Sequence, residues 1–318
     1  MNVPSTKNIP DDSIMIHIDQ IKKLHGLFPE IKFYWYYVTQ VNETGWFDDY
    51  IGVETFDLYS KVKTLLPDYV KTDRLLYKSL EDYEDCHYAS DHHWNHKGVK
   101  RGYEDIYGLM ADDLGLSDVR IPCKEWNYSE LYNFKYYGSF ARRLGSMYSG
   151  CDDFCAYEYN IPDRDVFAVS PETFEEIPLL ELGLFEEYST GHFDKSQDHY
   201  IAYYGYGIPK EGNEIYREGN AIYLIKNKKT YTGHNLLIYG DSYNRALRDV
   251  LASHFDTTLY FQRDIIENYD NVYIDELIEK YNIDVVLYGG NSDIWTIDEY
   301  MFDFSSAAEN SSEEDLGF

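Results

Sequence analysis

The sequence predicts an α/β fold of three layers, in which a parallel sheet is covered by helices on both faces. Three observations carry that prediction. Short apolar runs that read as buried strands alternate with amphipathic helical patterns, most clearly over the last third of the chain. The run Asn235 to Tyr239 ends on Gly240-Asp241-Ser242, and the run Ile283 to Tyr288 ends on Gly289-Gly290-Asn291, so polar residues gather where strands stop. Strands that alternate with helices pair in parallel, and such a sheet collects its working residues at its carboxyl edge.

Taken in order, Ser13 to Leu27 reads as a helix with Ile14, Ile18, Ile21 and Leu24 on or near one face, and Ile31 to Val38 as a strand of β-branched and aromatic residues entered after Pro29. Helices are expected over Asp57 to Leu66 and Gly98 to Leu114. Between Cys123 and Thr232 the pattern changes to alternating aromatics in Leu131 to Tyr137, a turn at Gly138, and paired runs at Tyr200 to Ile208 and Ala221 to Lys226. These predict hairpins, hence a β-rich insertion from about Ser117 to Thr232. The closing module returns to strand Asn235 to Tyr239, helix Asn244 to Phe255, strand Thr258 to Phe261, helix Ile274 to Tyr281 and strand Ile283 to Tyr288. Residues 1–304 are then a single domain with an insertion, and Ser305 to Phe318, small, polar and acidic, is an expected disordered tail.

Two distant motifs supply a serine nucleophile system. A serine hydroxyl needs an imidazole base beside it, and the imidazole needs an anion to hold its tautomer. Ser242, on a strand-to-helix turn, His93 and Asp91 have those side chains. In Asp91-x-His93 the carboxylate can reach Nδ1 while Nε2 points away, so base and orienter form one local unit, with His92 expected to face the other way. The plain alternatives are a serine N-cap and a set of surface histidines ahead of a helix. His87, His92, His93 and His96 beside Asp91 also invite a metal, but their spacing matches neither a His-Glu-x-x-His pair nor a facial triad, so no metal or other cofactor is assigned. Gly289-Gly290-Asn291 is either a turn or an oxyanion site, since glycine admits close backbone approach and an asparagine amide is a neutral donor.

These blocks resemble the SGNH hydrolase superfamily. Asp91-His92-His93-Trp94, followed by Asn95 and Gly98 and lying ahead of the serine, resembles the DHHW protein family, itself similar to alginate-type polysaccharide O-acetyltransferases. The resemblance covers Ile14 to Val38, Tyr88 to Leu114 and Asn235 to Asn291. It implies a flavodoxin-like sheet with the order of the catalytic blocks permuted. It implies Ser242 as nucleophile, His93 as base and Asp91 as orienter. Asn291 with the Ser242 and Gly290 amides would form the oxyanion site, leaving open which glycine amide faces the oxyanion. Trp94 is expected to pack beside the histidine loop, and Asp241 to support the serine.

Composition narrows the partners. With 28 Lys and Arg against 57 Asp and Glu, the chain carries a formal charge of -29. Phosphate binding needs the opposite field, so neither nucleic acid nor an anionic bilayer is an expected partner. Its 34 tyrosines fit a glycan surface, or strand filling and an insertion rim. Cys86, Cys123, Cys151 and Cys155 define neither a zinc ribbon nor a disulfide framework. No segment reaches the ~18 to 20 apolar residues of a membrane span, and Met1 to Ser13 has no apolar signal core. The resemblance implies an extracytoplasmic setting, which requires an export segment upstream of this sequence; otherwise the chain acts inside the cell. The expected activity is acyl-ester chemistry on carbohydrate, with a polysaccharide acceptor and an acetyl donor as partners. O-acetyl transfer is the first reading, acetylesterase the second, and a non-catalytic glycan-binding or assembly protein the third.

Overall fold

The computed structural model describes residues 9–46, 55–133, 135–144, 150–170, 173–178, 222–229, 232–262, 272–296 and 301–305. Helix α1 (Asp11–Leu27) leads into β1 (Lys32–Val38), followed by α2 (Leu58–Leu65), β2 (Val70–Leu75), α3 (Leu80–Cys86) and α4 (His96–Leu114). The middle of the chain contributes β3 (Pro122–Asn127), α5 (Tyr128–Tyr132), α6 (Ser139–Leu144), β4 (Cys155–Tyr159), β5 (Arg164–Val169), β6 (Glu176–Pro178) and β7 (Ile222–Asn227). The last module is β8 (Asn235–Gly240), α7 (Arg248–Ala252), β9 (Thr257–Gln262), α8 (Ile274–Tyr281) and β10 (Val285–Gly290).

One large sheet runs in the order β2-β1-β10-β8-β9-β7-β5-β6, and β3 pairs with β4 in a separate ladder. From β2 to β9 every pairing is parallel; β7, β5 and β6 extend the sheet by antiparallel pairing. The central strands are buried on both faces, as parallel strands under two helical layers must be. Phe33, Trp35 and Tyr37 of β1 enter one core with Ile14, Ile18 and Leu24 of α1, Val62 of α2 and Leu277 of α8. Tyr34 and Tyr36 enter the other with Val99, Ile106 and Met110 of α4 and Val250 of α7. The molecule is thus a mixed α/β fold around a large, mostly parallel sheet. Those core tyrosines, with Tyr239 and Tyr288, fill strands rather than offer a glycan surface.

Three local expectations are corrected. The single helix expected over Asn244 to Phe255 is a 3-10 helix Ser242–Ala246 followed by the short α7. Asp241 caps the Tyr243 amide and starts the helix early, while the Asn244 side chain is drawn to the Gly289 carbonyl at 2.8 Å. The alternating aromatics from Leu131 do not make a strand. Asn127 caps the Glu130 amide and Asn133 closes α5 in the left-handed region at φ 53°, so Leu131 and Tyr132 end a helical turn, and beyond it Tyr136 makes only an isolated bridge to Asp152. Ser305, where the expected tail begins, is buried and its amide donates to Asp275 at 2.9 Å. Tyr200 to Ile208 and residues 306–318 lie outside the described residues.

Candidate active site

The loop that carries the Asp-x-His unit is pinched at its base by a bridge between His87 and Trp94. Asn95 then caps α4, accepting from the Lys97 and Gly98 amides. Trp94 is fully buried, its indole lying over Gly102, whose absent side chain leaves room for the ring. At the tip, Asp152 receives the Ala89 and Ser90 amides at 3.0 and 2.8 Å, and the Ser90 carbonyl accepts from the Phe140 amide at 3.0 Å. The middle of the chain therefore clamps this loop directly.

Across from it, β8 ends at Gly240 with φ 145°, where a Cβ would lie 1.9 Å from the Gly289 carbonyl oxygen. Only glycine fits there. Ser242 follows, and its Oγ lies 2.7 Å from His93 Nε2 although 149 positions separate the two residues in sequence. On the far side of the ring, Nδ1 is 3.2 Å from Asp91 Oδ1. The same oxygen accepts from Ser139 Oγ at 2.9 Å and from the His92 amide at 2.7 Å, while Tyr136 OH donates to Oδ2. Gly138 passes so close that a Cβ would meet Asp91 at 2.3 Å.

Burial pushes His93 down to about 4, against the pull of Asp91. It is therefore neutral at pH 7 and able to accept a proton. Burial alone would raise the Asp91 carboxyl, but the hydrogen bonds from His92 and His93 hold it well below the usual range. His92 does not turn away as the loop pattern predicts. Its Nδ1 lies 2.9 Å from the same Asp91 oxygen and 2.7 Å from Ser139 Oγ, and the two imidazoles stand 3.9 Å apart. A crowded carboxylate holds both rings. Tyr243 OH donates to the His92 carbonyl and accepts from Gln40 Nε2 at 3.1 Å, fastening the serine turn to the histidine loop.

Asp241 ties together the two strand ends. Its Oδ1 accepts from the Tyr243 amide at 2.9 Å and its Oδ2 from the Asn291 amide at 2.8 Å. A Cβ at Gly290, φ 147°, would meet that Oδ2 at 2.4 Å, which accounts for the glycine. The Asn291 side chain caps the following 3-10 turn, accepting from the Asp293 amide at 2.7 Å, and also hydrogen-bonds the Asp293 carboxyl. In this geometry it serves its own turn. Burial raises Asp293, with His92 opposing.

Sequence reasoning missed Tyr136, Gly138, Ser139, Asp152, Gln40, Tyr243 and Asn244. Tyr243 and Asn244 follow the serine directly and were open to inspection. The others sit far from Asp91 in sequence, and no local pattern announces them. Among the described residues, two groups have metal-ligand chemistry: Asp91, His92 and His93, and His96, Glu125 and Cys155. In the first, His93 Nε2 is engaged by Ser242 and the Asp91 oxygens by their donors. All four cysteines are free thiols.

No family model and no curated protein matches the sequence. Solved structures do. PatB1 of Bacillus cereus superposes with a TM-score of 0.63 at 18% identity, covering 92% of this chain and 94% of that one. The same protein with a sulfonyl adduct gives 0.63 at 16% identity over the same shares, 92% and 94%. A DHHW family protein from Eubacterium siraeum gives 0.60 at 14% identity, covering 95% of this chain and 88% of that one. At these identities the likeness is one of fold, and the resemblance carried by Asp91-His92-His93-Trp94 extends to it. Among the described residues no helix is long and apolar enough to cross a membrane.

Proposed function

We propose that this chain is a serine-dependent acyl-ester enzyme of SGNH-like fold, with permuted catalytic blocks and a β-rich insertion, that transfers O-acetyl groups to a polysaccharide outside the cytoplasm. The observation that carries the reading is His93 Nε2 at 2.7 Å from Ser242 Oγ, with Asp91 on the other ring nitrogen. His93 takes the serine proton as Oγ attacks the acetyl carbonyl. The Ser242 and Gly290 amides, with Asn291 rotated off its turn, receive the oxyanion. His93 then returns the proton to the leaving alcohol. A sugar hydroxyl, deprotonated by the same imidazole, attacks the acyl-enzyme and frees Ser242. If water takes the acceptor's place the enzyme is an acetylesterase.

The test is covalent. PatB1 has been obtained with a sulfonyl adduct, and a sulfonyl fluoride or fluorophosphonate should add once to this chain at Ser242, read as a mass increase on that peptide. Ser242→Ala should lose both labelling and ester turnover while remaining folded, because the hydroxyl is on a turn and its loss removes no core volume. Normal turnover by that variant would end the serine reading. An unlabelled wild type that still binds glycan would make it a binding protein.

A further inference from the structure

His96, Glu125 and Cys155 come from three different elements, the first turn of α4, β3 and β4, yet bring a nitrogen, an oxygen and a sulfur within 4.8 Å of one another. In the β3-β4 ladder Glu125 stands opposite Tyr157 and Asn127 opposite Cys155, so the period of two puts Glu125 and Cys155 on one face. That face meets His96, whose ring lies 4.9 Å from Tyr157. The imidazole is 11% exposed, its Nε2 is 3.0 Å from Glu125 Oε1, and its Nδ1 is buried. Asp153 and Glu130 add their negative charge to that of Glu125 around the thiol.

We propose that these residues form a zinc site, distinct from the serine centre, that pins the β3-β4 ladder to the start of α4. The donor set is the borderline mixture that zinc takes, one imidazole, one carboxylate and one thiolate, with water in the fourth position. Tetrahedral bonds of about 2.0 to 2.3 Å leave ligand atoms roughly 3.3 to 3.7 Å apart, so the three donors need only small rotations. On binding, the thiol proton passes to solvent and the sulfur donates its pair to the ion. Glu125, 53% exposed, leaves a path for entry. Because α4 begins where the His93 loop ends, the ion holds the edge of the active-site frame without touching the chemistry.

The full chain, stripped with a chelator and titrated with Co2+, should bind one ion with a near-ultraviolet sulfur-to-cobalt charge-transfer band and the strong visible absorption of a tetrahedral site, and Zn2+ should displace it. Cys155→Ser should lose the band, whereas Cys123→Ser and Cys151→Ser keep it. His96→Ala should weaken Zn2+ by more than the roughly 10- to 100-fold that loss of an outer partner causes. Zn2+ should also raise the thermal midpoint of the wild type. A band that survives Cys155→Ser, or no band on the wild type, overturns the site; the wild-type spectrum decides the matter should the variant fail to fold. No substrate is used, and serine labelling of the same sample is read separately, so neither result stands for the other.

Discussion

His93 lies in the interior, and that sets the pH at which it can accept a proton. With burial pushing it down to about 4, the acid limb of kcat/KM on an activated ester should fall well below the ordinary imidazole value near 6.5. The profile should be flat from about pH 6 to 8; a half-maximum at 6.5 would show that the ring is solvated. Stability follows the same sign. The folded value lies below the unfolded one, so the unfolded chain binds more protons between them and stability is lost as pH falls through that window. His87, pushed to about 3, and His254, to about 4, both by burial, act the same way. Glu43, raised by burial to about 7, opposes them, contributing most below its unfolded value and losing that contribution as pH rises through 7. Of the two histidines on Asp91, only His93 reaches the serine. His93→Ala should cost about 10³-fold in acylation. His92→Ala should keep most of the rate, since Tyr243 holds the loop through the His92 backbone carbonyl; the reverse ranking in single-turnover assays would reassign the base.

At the scale of elements, α4 is cut to fit Trp94. A Cβ at Gly98 would lie 2.3 Å from the Cys86 carbonyl oxygen and one at Gly102 would lie 2.6 Å from the indole, whereas at Gly108 nothing lies within 4 Å. Gly108→Ala should therefore stabilise by up to about 1 kcal/mol through helix propensity, and Gly98→Ala should destabilise by about 1 to 3 kcal/mol through overpacking, both read by urea denaturation. Equal effects would mean that the Cys86 carbonyl and the Trp94 Cβ both yield freely. The same helix shows what the sequence made legible. Its apolar spacing announced it, as did the runs that became α1, β1, β8, α8 and β10, because a buried stripe is a local pattern. Val70–Leu75 was invisible, since an edge strand with Lys71, Asp73 and Arg74 has no apolar period. The serine and histidine motifs could be read from spacing alone. The cradle around Asp91 could not, because Tyr136, Ser139 and Asp152 meet the loop only after the middle of the chain has folded back on it.

The whole molecule carries -29, and on the proposed function this field should select among acceptors. With an activated acetyl ester as donor, adding a fitting oligosaccharide should speed donor consumption and yield acetylated sugar, because a held acceptor attacks as if unimolecularly. Neutral glucose-, galactose- or mannose-based oligomers should outperform a glucuronate-based one, and added salt should narrow the gap. Donor consumption that ignores every acceptor and releases only acetate would favour esterase. The sheet order has a consequence of another kind. β10 lies between β1 and β8, and both neighbours precede it in the chain. β10 therefore fills the slot between β1 and β8 only after Asp91, His93 and Ser242 have been made. The Asp241 carboxylate lacks its Asn291 amide until that slot is filled. On the proposed function, a chain truncated before Val285 should keep Asp91, His93 and Ser242 yet take up no serine probe, because the strand that closes the sheet beside the serine turn is missing; labelling of that truncation would show that the turn is set without it.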